Sequence, residues 1–180
     1  MIQKYIISGA PGTGKTTIIN ALKKKDHYCA EEISRELIAE QISIGGNILP
    51  WKDQIAFENK IAHRRYKQYL DSPENCICFF DRSSIDCIAY LNNNKLESTS
   101  QINKIIKNCI FNKTVFYTPV WEEIYKNDSE RQESFDQSIK IDKHLKDSYI
   151  KFGYTIIEIP KTTLDKRINF ILSQIKDYNF

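Results

Sequence analysis

Glycine, proline and long apolar runs are scarce in this chain, which has 180 residues, 6 glycines and 5 prolines. This composition excludes collagen-like and low-complexity proteins. No apolar run approaches the roughly 18 residues of a membrane-spanning helix, and the first residues lack the basic and apolar regions of a signal peptide. With 41% hydrophobic residues, the chain is expected to form one globular domain over residues 1–180, in the cytoplasm and without a membrane span.

An excess of charge of one sign is also nearly absent, because 26 basic and 23 acidic residues leave a formal net charge of +3. A surplus this small argues against nucleic acid as the main partner. The five cysteines are odd in number and contain no CxxC pair, which does not suit a disulfide framework. We interpret all five as reduced core thiols: Cys29, Cys76, Cys78, Cys87 and Cys109.

Short apolar runs alternate with amphipathic segments, a pattern typical of a layered α/β domain. Strands are predicted at residues 2–8, 27–30, 76–80, 114–117 and 154–159. Helices are predicted at residues 15–25, 32–44, 51–70, 84–91, 102–110, 135–152 and 163–175. The continuous apolar run of the third strand indicates a buried parallel strand, so we predict five parallel strands joined by right-handed helical crossovers.

Two of the predicted helices carry an apolar stripe that is expected to face the core. In the helix at residues 51–70 the stripe consists of Trp51, Ile55, Ile61, Ala62, Tyr66 and Tyr69. In the helix at residues 135–152 it consists of Phe135, Ile139, Leu145 and Tyr149.

The segment after the first predicted strand carries the strongest functional signal. Its sequence is Gly9-Ala10-Pro11-Gly12-Thr13-Gly14-Lys15-Thr16-Thr17, and it matches the motif GxxxxGK[ST] in full. Glycines allow the backbone N–H groups to surround phosphate oxygens, and the helix N-terminus adds a partial positive charge. We predict that all nine residues bind a nucleotide, with Lys15 at the β- and γ-phosphates and the Thr16 hydroxyl on Mg²⁺.

An acidic residue, Asp81, follows the apolar run of the third predicted strand. A carboxylate at the carboxyl end of that strand would lie beside the phosphate loop. It could hold Mg²⁺ or accept the proton of an acceptor hydroxyl. The alternative is that Asp81 or Ser83 caps the next helix. Arg82 stands where motor-type ATPases usually have a water-polarising glutamate, which favours contact with a second anionic or polar ligand.

Further candidates lie on the acceptor side of the predicted site. Glu32 and Arg35 follow the second strand and would share a helix face at a spacing of three. Glu32 could orient or deprotonate an acceptor hydroxyl, and Arg35 could hold a phosphate or carboxylate; the alternative is a surface pair. Asp86 could also face the acceptor, with a surface or capping role as the alternative.

The charged segment at residues 120–132 is a candidate lid, and it contains Asp128-Ser129-Glu130-Arg131. Kinases of small molecules exclude water by closing a lid, and lid arginines neutralise charge on the transferred phosphoryl group. We predict that role for Arg131. The alternative is a solvated charged loop.

The order of these motifs resembles that of a known family. The motifs are the phosphate loop, Glu32-x-x-Arg35, Phe80-Asp81-Arg82 with Asp86 and Tyr90, Asp128-x-x-Arg131-Gln132, and Gly153-Tyr154 followed by Ile159-Pro160. The set is similar to NadR-type P-loop domains, small predicted AAA-type ATPases related to nicotinamide riboside kinases. The resemblance implies a three-layer fold with a five-stranded parallel sheet in the order 2-3-1-4-5, phosphoryl transfer, and ATP and Mg²⁺ at the carboxyl ends of the strands.

One motif departs from that resemblance. Nicotinamide riboside kinases have an Asp-Thr-Asp-like pattern after the third strand, whereas Asp81-Arg82-Ser83 is nearer the Asp/Glu-Arg-Ser pattern of deoxynucleoside kinases. We therefore predict ATP- and Mg²⁺-dependent transfer to a small nucleoside-like or phosphorylated acceptor, with Arg82 among the substrate contacts. The alternative is a nucleotide-switched ATPase with a protein or lipid partner, which the polar segment at residues 92–100 favours.

Overall fold

The computed structural model describes residues 3–125 and 134–176. Five parallel strands form one sheet with the spatial order β2-β3-β1-β4-β5. The strands are β1 (Lys4–Ser8), β2 (Tyr28–Ala30), β3 (Cys78–Asp81), β4 (Thr114–Tyr117) and β5 (Thr155–Glu158). The predicted fold class and sheet order are confirmed.

The helices connect these strands and cover both faces of the sheet. They are α1 (Lys15–Lys23), α2 (Ser34–Ser43), α3 (Gln54–Asp71), α4 (Ser84–Asn93), α5 (Ser100–Asn108), α6 (Phe135–Lys151) and α7 (Leu164–Lys176), with a 3₁₀ turn at Glu122–Ile124. Among these described helices, none has the length and apolar character needed to cross a membrane.

Two hydrophobic cores lie on opposite faces of the sheet. Along β1, the Ile6 side chain belongs to the core that α2 to α6 share, while Tyr5 and Ile7 belong to the core formed with α1 and α7. Side chains alternate between the faces of a strand, so a strand that is covered on both sides is apolar throughout. This explains why the central strands are continuous apolar runs.

The stripe predicted for the third helix was partly wrong. Trp51 is 52% exposed and Ile55 is 39% exposed. The helix begins later than predicted, because the Asp53 side chain accepts a hydrogen bond from Ala56 N at 3.0 Å and caps the helix there. The buried residues of α3 are Phe57, Glu58, Ile61, Ala62 and Arg65. Two of them are charged, so this face packs against polar groups as well as the core.

Two other predictions of burial also need correction. In α6, Ile139 is 48% exposed, and the buried residues are Ser138, Ile141, Leu145, Ser148 and Tyr149. Among the cysteines, Cys76 is exposed and Cys29 is half-buried, although all five are free thiols. Cys76 lies outside the core because β3 begins only at Cys78.

Candidate active site

The loop between β1 and α1 has a backbone that depends on glycine. Gly9, Gly12 and Gly14 have φ angles of +151°, +81° and +83°, which residues with a side chain rarely adopt. A Cβ atom on Gly9 would lie 2.1 Å from Thr118 Oγ1 and 2.4 Å from Thr118 O. The loop therefore packs directly against the end of β4, and its residues 11–17 line a cavity of about 680 Å³.

Hydrogen bonds hold the loop in place from behind. Thr13 Oγ1 donates to Ala10 O at 2.8 Å and lies 2.6 Å from Thr118 Oγ1. The hydroxyl of Ser138 in α6 donates to Pro11 O at 3.0 Å. A loop that is already ordered loses little conformational freedom when it binds an anion, which favours binding.

Lys15 is the buried cation of the loop. Its Nζ atom donates to Ala10 O at 2.7 Å. Burial, and then repulsion from Arg82, lower the pKa of Lys15 to about 7. An anion in the cavity would restore the usual pKa of this ammonium group. The Thr16 and Thr17 side chains are exposed and line the same cavity.

Asp81 ends β3, and in the parallel register it is paired with Ile7 of the strand that leads into the loop. It is 3% exposed and lines the cavity. Burial, and then repulsion from Glu32, raise the pKa of Asp81 to about 6. Within the described part of the chain, Asp81 Oδ1 has no hydrogen-bond partner. A buried carboxylate oxygen of this kind is suited to a cation or a hydroxyl donor.

The cap of α4 is Ser83, so the alternative role of Asp81 as a cap was wrong. The Ser83 Oγ atom accepts from Ile85 N at 3.2 Å, and Asp86 completes a capping box by accepting from Ser83 N at 2.9 Å. Asp81 therefore does not cap α4, and it lines the cavity.

Glu32 lies in the turn before α2, because that helix begins at Ser34. Its Oε1 atom accepts from Ile33 N at 3.0 Å, and from Ser34 N at 3.0 Å and Ser34 Oγ at 2.8 Å. The prediction that Glu32 and Arg35 share a helix face was therefore wrong, although both residues line the cavity. The turn aims the second oxygen of Glu32, Oε2, at Arg82 Nε, 2.7 Å away.

Asp86 does not face the cavity, so its predicted contact with a substrate needs correction. It is fully buried, and its Oδ1 atom lies 3.0 Å from Arg82 Nη1. Burial would raise the pKa of this carboxyl, but the guanidinium groups of Arg82 and Arg65 outweigh that effect and lower it. The same balance applies to Glu32: burial would raise its pKa, and Arg82 and Arg65 lower it. Asp86 therefore contacts a residue that lines the cavity, Arg82, and does not line the cavity itself.

Two charged residues of α3 were not singled out by the sequence analysis. Arg65 donates from Nη1 to Ser83 O at 2.7 Å, and its Nη2 atom lies 3.4 Å from Glu32 Oε1. Glu58 lines the cavity, and burial raises its pKa to about 7, against the effect of Arg65. The two positions are seven apart, hence on one side of the helix, and that spacing was the signal available.

The opposite end of the cavity has an aromatic and basic wall that was also missed. Arg167 of α7 donates from Nη2 to Thr13 O at 3.2 Å, and its guanidinium carbon lies 5.7 Å from the centre of the Trp121 ring. Both residues line the cavity together with Ile124 and Leu164. Arg167 belongs to no sequence motif, because it lies on α7 and contacts the phosphate loop only through tertiary packing.

Arg131 and Asp128 lie outside the described residues, as does most of the segment 120–132. The lid and the role of Arg131 stay predictions.

Together these features define a class of protein. A parallel sheet in this order, a glycine-rich loop with a lysine at the start of the following helix, and an aspartate at the end of the neighbouring strand make up the P-loop nucleotide-binding fold. The chain belongs to the AAA domain family, whose model matches residues 4–167. Among curated proteins, none matches this chain.

Several solved structures share the fold. NadR in complex with NR has a TM-score of 0.72 at 17% identity, covering 98% of this chain and 51% of that chain. Thymidylate kinase from Candida albicans has a TM-score of 0.70 at 16% identity, covering 98% and 92%. Deoxyadenosine kinase from M. mycoides, with dCMP and a flexible dCDP bound, has a TM-score of 0.68 at 18% identity, covering 97% and 98%. The expected resemblance to NadR is confirmed at the level of the fold.

Proposed function

We propose that the protein transfers a phosphoryl group from Mg-ATP to a hydroxyl group of a small, uncharged, nucleoside-like acceptor. The observation that carries this proposal is the buried Oδ1 atom of Asp81, which has no hydrogen-bond partner among the residues that the structure describes. Asp81 lines a cavity together with the phosphate loop, Glu32 and Arg82. A triphosphate donor and an acceptor can therefore meet at one carboxylate. The named kinases among the similar structures support phosphoryl transfer.

The donor would bind at the end of the cavity that contains the loop. Lys15 and the N-terminus of α1 would contact the phosphates, and the wall of Trp121 and Arg167 would contact the base. Thr16 and Asp81 offer the hard oxygen ligands that Mg²⁺ prefers. When bound there, Mg²⁺ would neutralise part of the phosphate charge.

The charges at the other end of the cavity favour an uncharged acceptor over a phosphorylated one. Arg82 is paired with Glu32 at 2.7 Å and with Asp86 at 3.0 Å, and Arg65 contacts Glu32 and a backbone carbonyl. These guanidinium groups already have anionic partners, so a second anion would have to displace a carboxylate. A neutral hydroxyl compound has no such requirement.

Of the two cavity carboxylates, Asp81 suits proton acceptance better than Glu32. Glu32 already accepts hydrogen bonds on both oxygens, and its pKa is lowered. Asp81 has one oxygen without a hydrogen-bond partner among residues 3–125 and 134–176, and its pKa of about 6 is nearer the range in which a general base is effective. We assign Glu32 to holding Arg82 and the turn before α2.

An acceptor screen tests the proposed function. Mg-ATP consumption is measured against nucleosides, nucleoside monophosphates and other ribosides, with products identified by mass. We expect ADP formation that depends on a nucleoside-like compound and yields its phosphorylated product. Equal ADP formation with every compound would contradict the proposal and favour the nucleotide-switched ATPase.

The Trp121 wall can be tested by fluorescence, because the chain has only two tryptophans. In a Trp51→Phe variant, Trp121 is the sole tryptophan, and saturating Mg-ATP is expected to change its emission because a base stacks nearby. The matched control is Trp121→Phe, which keeps the half-exposed Trp51 and should show no change. Unchanged emission in Trp51→Phe, with nucleotide binding demonstrated by dialysis, would remove Trp121 from the nucleotide site.

The alternative function, a nucleotide-switched ATPase, was favoured by the polar segment at residues 92–100. In the structure this segment is tied to α3: Asn94 Nδ2 donates to Gln54 Oε1 at 2.6 Å, and Thr99 Oγ1 donates to Asn59 Oδ1 at 2.6 Å. Asn94 and Thr99 thus bond to α3 rather than to a partner, and we propose no second function.

A further inference from the structure

Arg82 has an unusual backbone conformation at the acceptor end of the cavity. Its φ angle is +75°, a left-handed conformation that costs free energy in any residue with a side chain. The backbone N–H donates to Ile7 O at 3.0 Å, and the buried guanidinium lies 5.5 Å from the centre of the Tyr90 ring. Such backbone strain persists only where surrounding contacts keep the residue in place.

Asp86 makes one of these contacts, and both of its oxygens are engaged. Oδ1 contacts Arg82 Nη1 at 3.0 Å and accepts from Ser8 Oγ at 2.7 Å. Oδ2 accepts from Ser83 N at 2.9 Å and from the hydroxyl of Tyr149. Four donors therefore fix one fully buried carboxylate behind the guanidinium.

Tyr149 brings α6 into this network. Its side chain is fully buried, and its hydroxyl lies 2.9 Å from Ser83 Oγ as well as against Asp86. It does not line the cavity, so any effect of Tyr149 on a ligand would pass through its neighbours Asp86 and Ser83. Neither the motif analysis nor the assignment of donor and acceptor ends gives Tyr149 a role.

We propose that Asp86 and Tyr149 are positioning residues, which hold the guanidinium of Arg82 in a fixed direction toward the acceptor. The proposal rests on the proposed function, because that function places the acceptor beside Arg82. Without the Tyr149 hydroxyl, Asp86 Oδ2 loses one buried donor, and three of the four donors to the carboxylate remain. The carboxylate, and with it the direction of the Arg82 guanidinium, is then less firmly fixed, while the phosphate loop is unaffected.

The test is Tyr149→Phe, with separate measurements of acceptor and donor parameters. We expect kcat/KM for the acceptor to fall roughly tenfold, while the Kd for Mg-ATP stays within about twofold. Rates are divided by the number of nucleotide-binding sites per protein chain, so that a smaller fraction of folded protein does not lower the calculated kcat. Equal losses for donor and acceptor, or no loss, would overturn the proposal.

The matched control is Tyr117→Phe. The Tyr117 hydroxyl is also on a buried tyrosine, and it bonds Asp142 of the same helix, α6, at 2.9 Å. We expect no selective acceptor defect in this variant. Should Tyr149→Phe fail to fold, Ser8→Ala removes the other hydroxyl donor to Asp86 and is expected to give the same selective loss; equal losses there, or none, would likewise overturn the proposal.

A measurement without turnover separates this proposal from the proposed function. The side-chain Nε–H of Arg82, which donates to Glu32 Oε2 at 2.7 Å, is followed by ¹⁵N nuclear magnetic resonance and assigned with Arg82→Lys. We expect its signal to shift and exchange faster in Tyr149→Phe but not in Tyr117→Phe. An unchanged signal would overturn the positioning role, even if no acceptor is ever phosphorylated.

Discussion

Replacing Lys15 by alanine is expected to lower Mg-ATP turnover by a factor on the order of 100 to 1,000, the scale of one lost group that stabilises transition-state charge. Lys15 is a buried cation at the start of α1, inside a cavity where low dielectric strengthens its attraction for phosphate oxygens. The measurement is the steady-state rate of ADP formation together with the Kd for Mg-ATP.

The stability of this variant distinguishes a functional lysine from a structural one. Because burial lowers the pKa of Lys15 to about 7, below its unfolded value of 10.5, the ammonium opposes folding below about pH 7, and that penalty fades as the pH rises toward 10.5. Its removal is not expected to lower the thermal midpoint at pH 7. Lys24→Ala, at the exposed end of the same helix, is the matched control and should keep full turnover. Wild-type turnover in Lys15→Ala would remove the central element of the proposed site.

Asp81→Asn is expected to lower the transfer rate at least 100-fold, the scale of a lost general base or metal-positioning group. The substitution keeps the shape of the side chain and removes its charge. Burial raises the pKa of Asp81 to about 6 from 3.8, so its ionisation costs stability as the pH rises through that interval and above it. The amide should therefore fold at least as well at pH 7, which a thermal midpoint checks.

A magnesium titration of Asp81→Asn separates the two roles of the carboxylate. If Asp81 holds Mg²⁺, high Mg²⁺ concentration should restore part of the rate; if it accepts the proton, the rate should stay low at every concentration. Asp142→Asn, a change outside the nucleotide cavity, is the control. An Asp81→Asn protein that does not fold would assign the residue to the architecture of β3 instead.

The arrangement of the strands would allow Lys15 and Asp81 to act on one ligand. β3 lies beside β1 in the sheet, and Asp81 is paired with Ile7, two residues before Gly9. The phosphate loop and the carboxylate are therefore neighbours through backbone hydrogen bonding, although they are more than 60 residues apart. Parallel sheets bring functional residues to one edge in this way.

Sequence reasoning worked best where all the determinants of a feature are local. The strand, glycine-rich loop and helix at residues 4–23 were predicted because they are consecutive in sequence and each glycine of the loop meets a steric demand of the backbone. Of the nine residues predicted to bind a nucleotide, Gly9 and Ala10 do not line the cavity, and nucleotide binding by the others stays a prediction. β4 was predicted with its observed bounds, Thr114–Tyr117, as an apolar run that ends before Pro119. The start of α3 was predicted at Trp51, directly after Pro50, whereas the cap at Asp53 places it at Gln54.

Tertiary packing decided which polar residues face the ligand cavity. The sequence left capping roles open for Ser83 and for Asp86, but only the packing of Ser8 and Tyr149 around Asp86 places that carboxylate behind Arg82. The apolar periodicity of a helix indicates which of its faces is buried, but it does not indicate which residues of other elements pack against that face. For that reason Glu58 and Arg65 were missed on α3.

The sequence by itself therefore determined the fold class and the position of the glycine-rich loop between β1 and α1, since both follow from local backbone preference and the alternation of apolar runs. Only the tertiary structure decided the charge pairing at the acceptor end and the Trp121 wall. Arg167 meets Thr13 across 154 positions of the chain, and Glu32 meets Arg82 across 50. The strength of such contacts depends on burial by elements that are distant in sequence, and no local pattern encodes that burial.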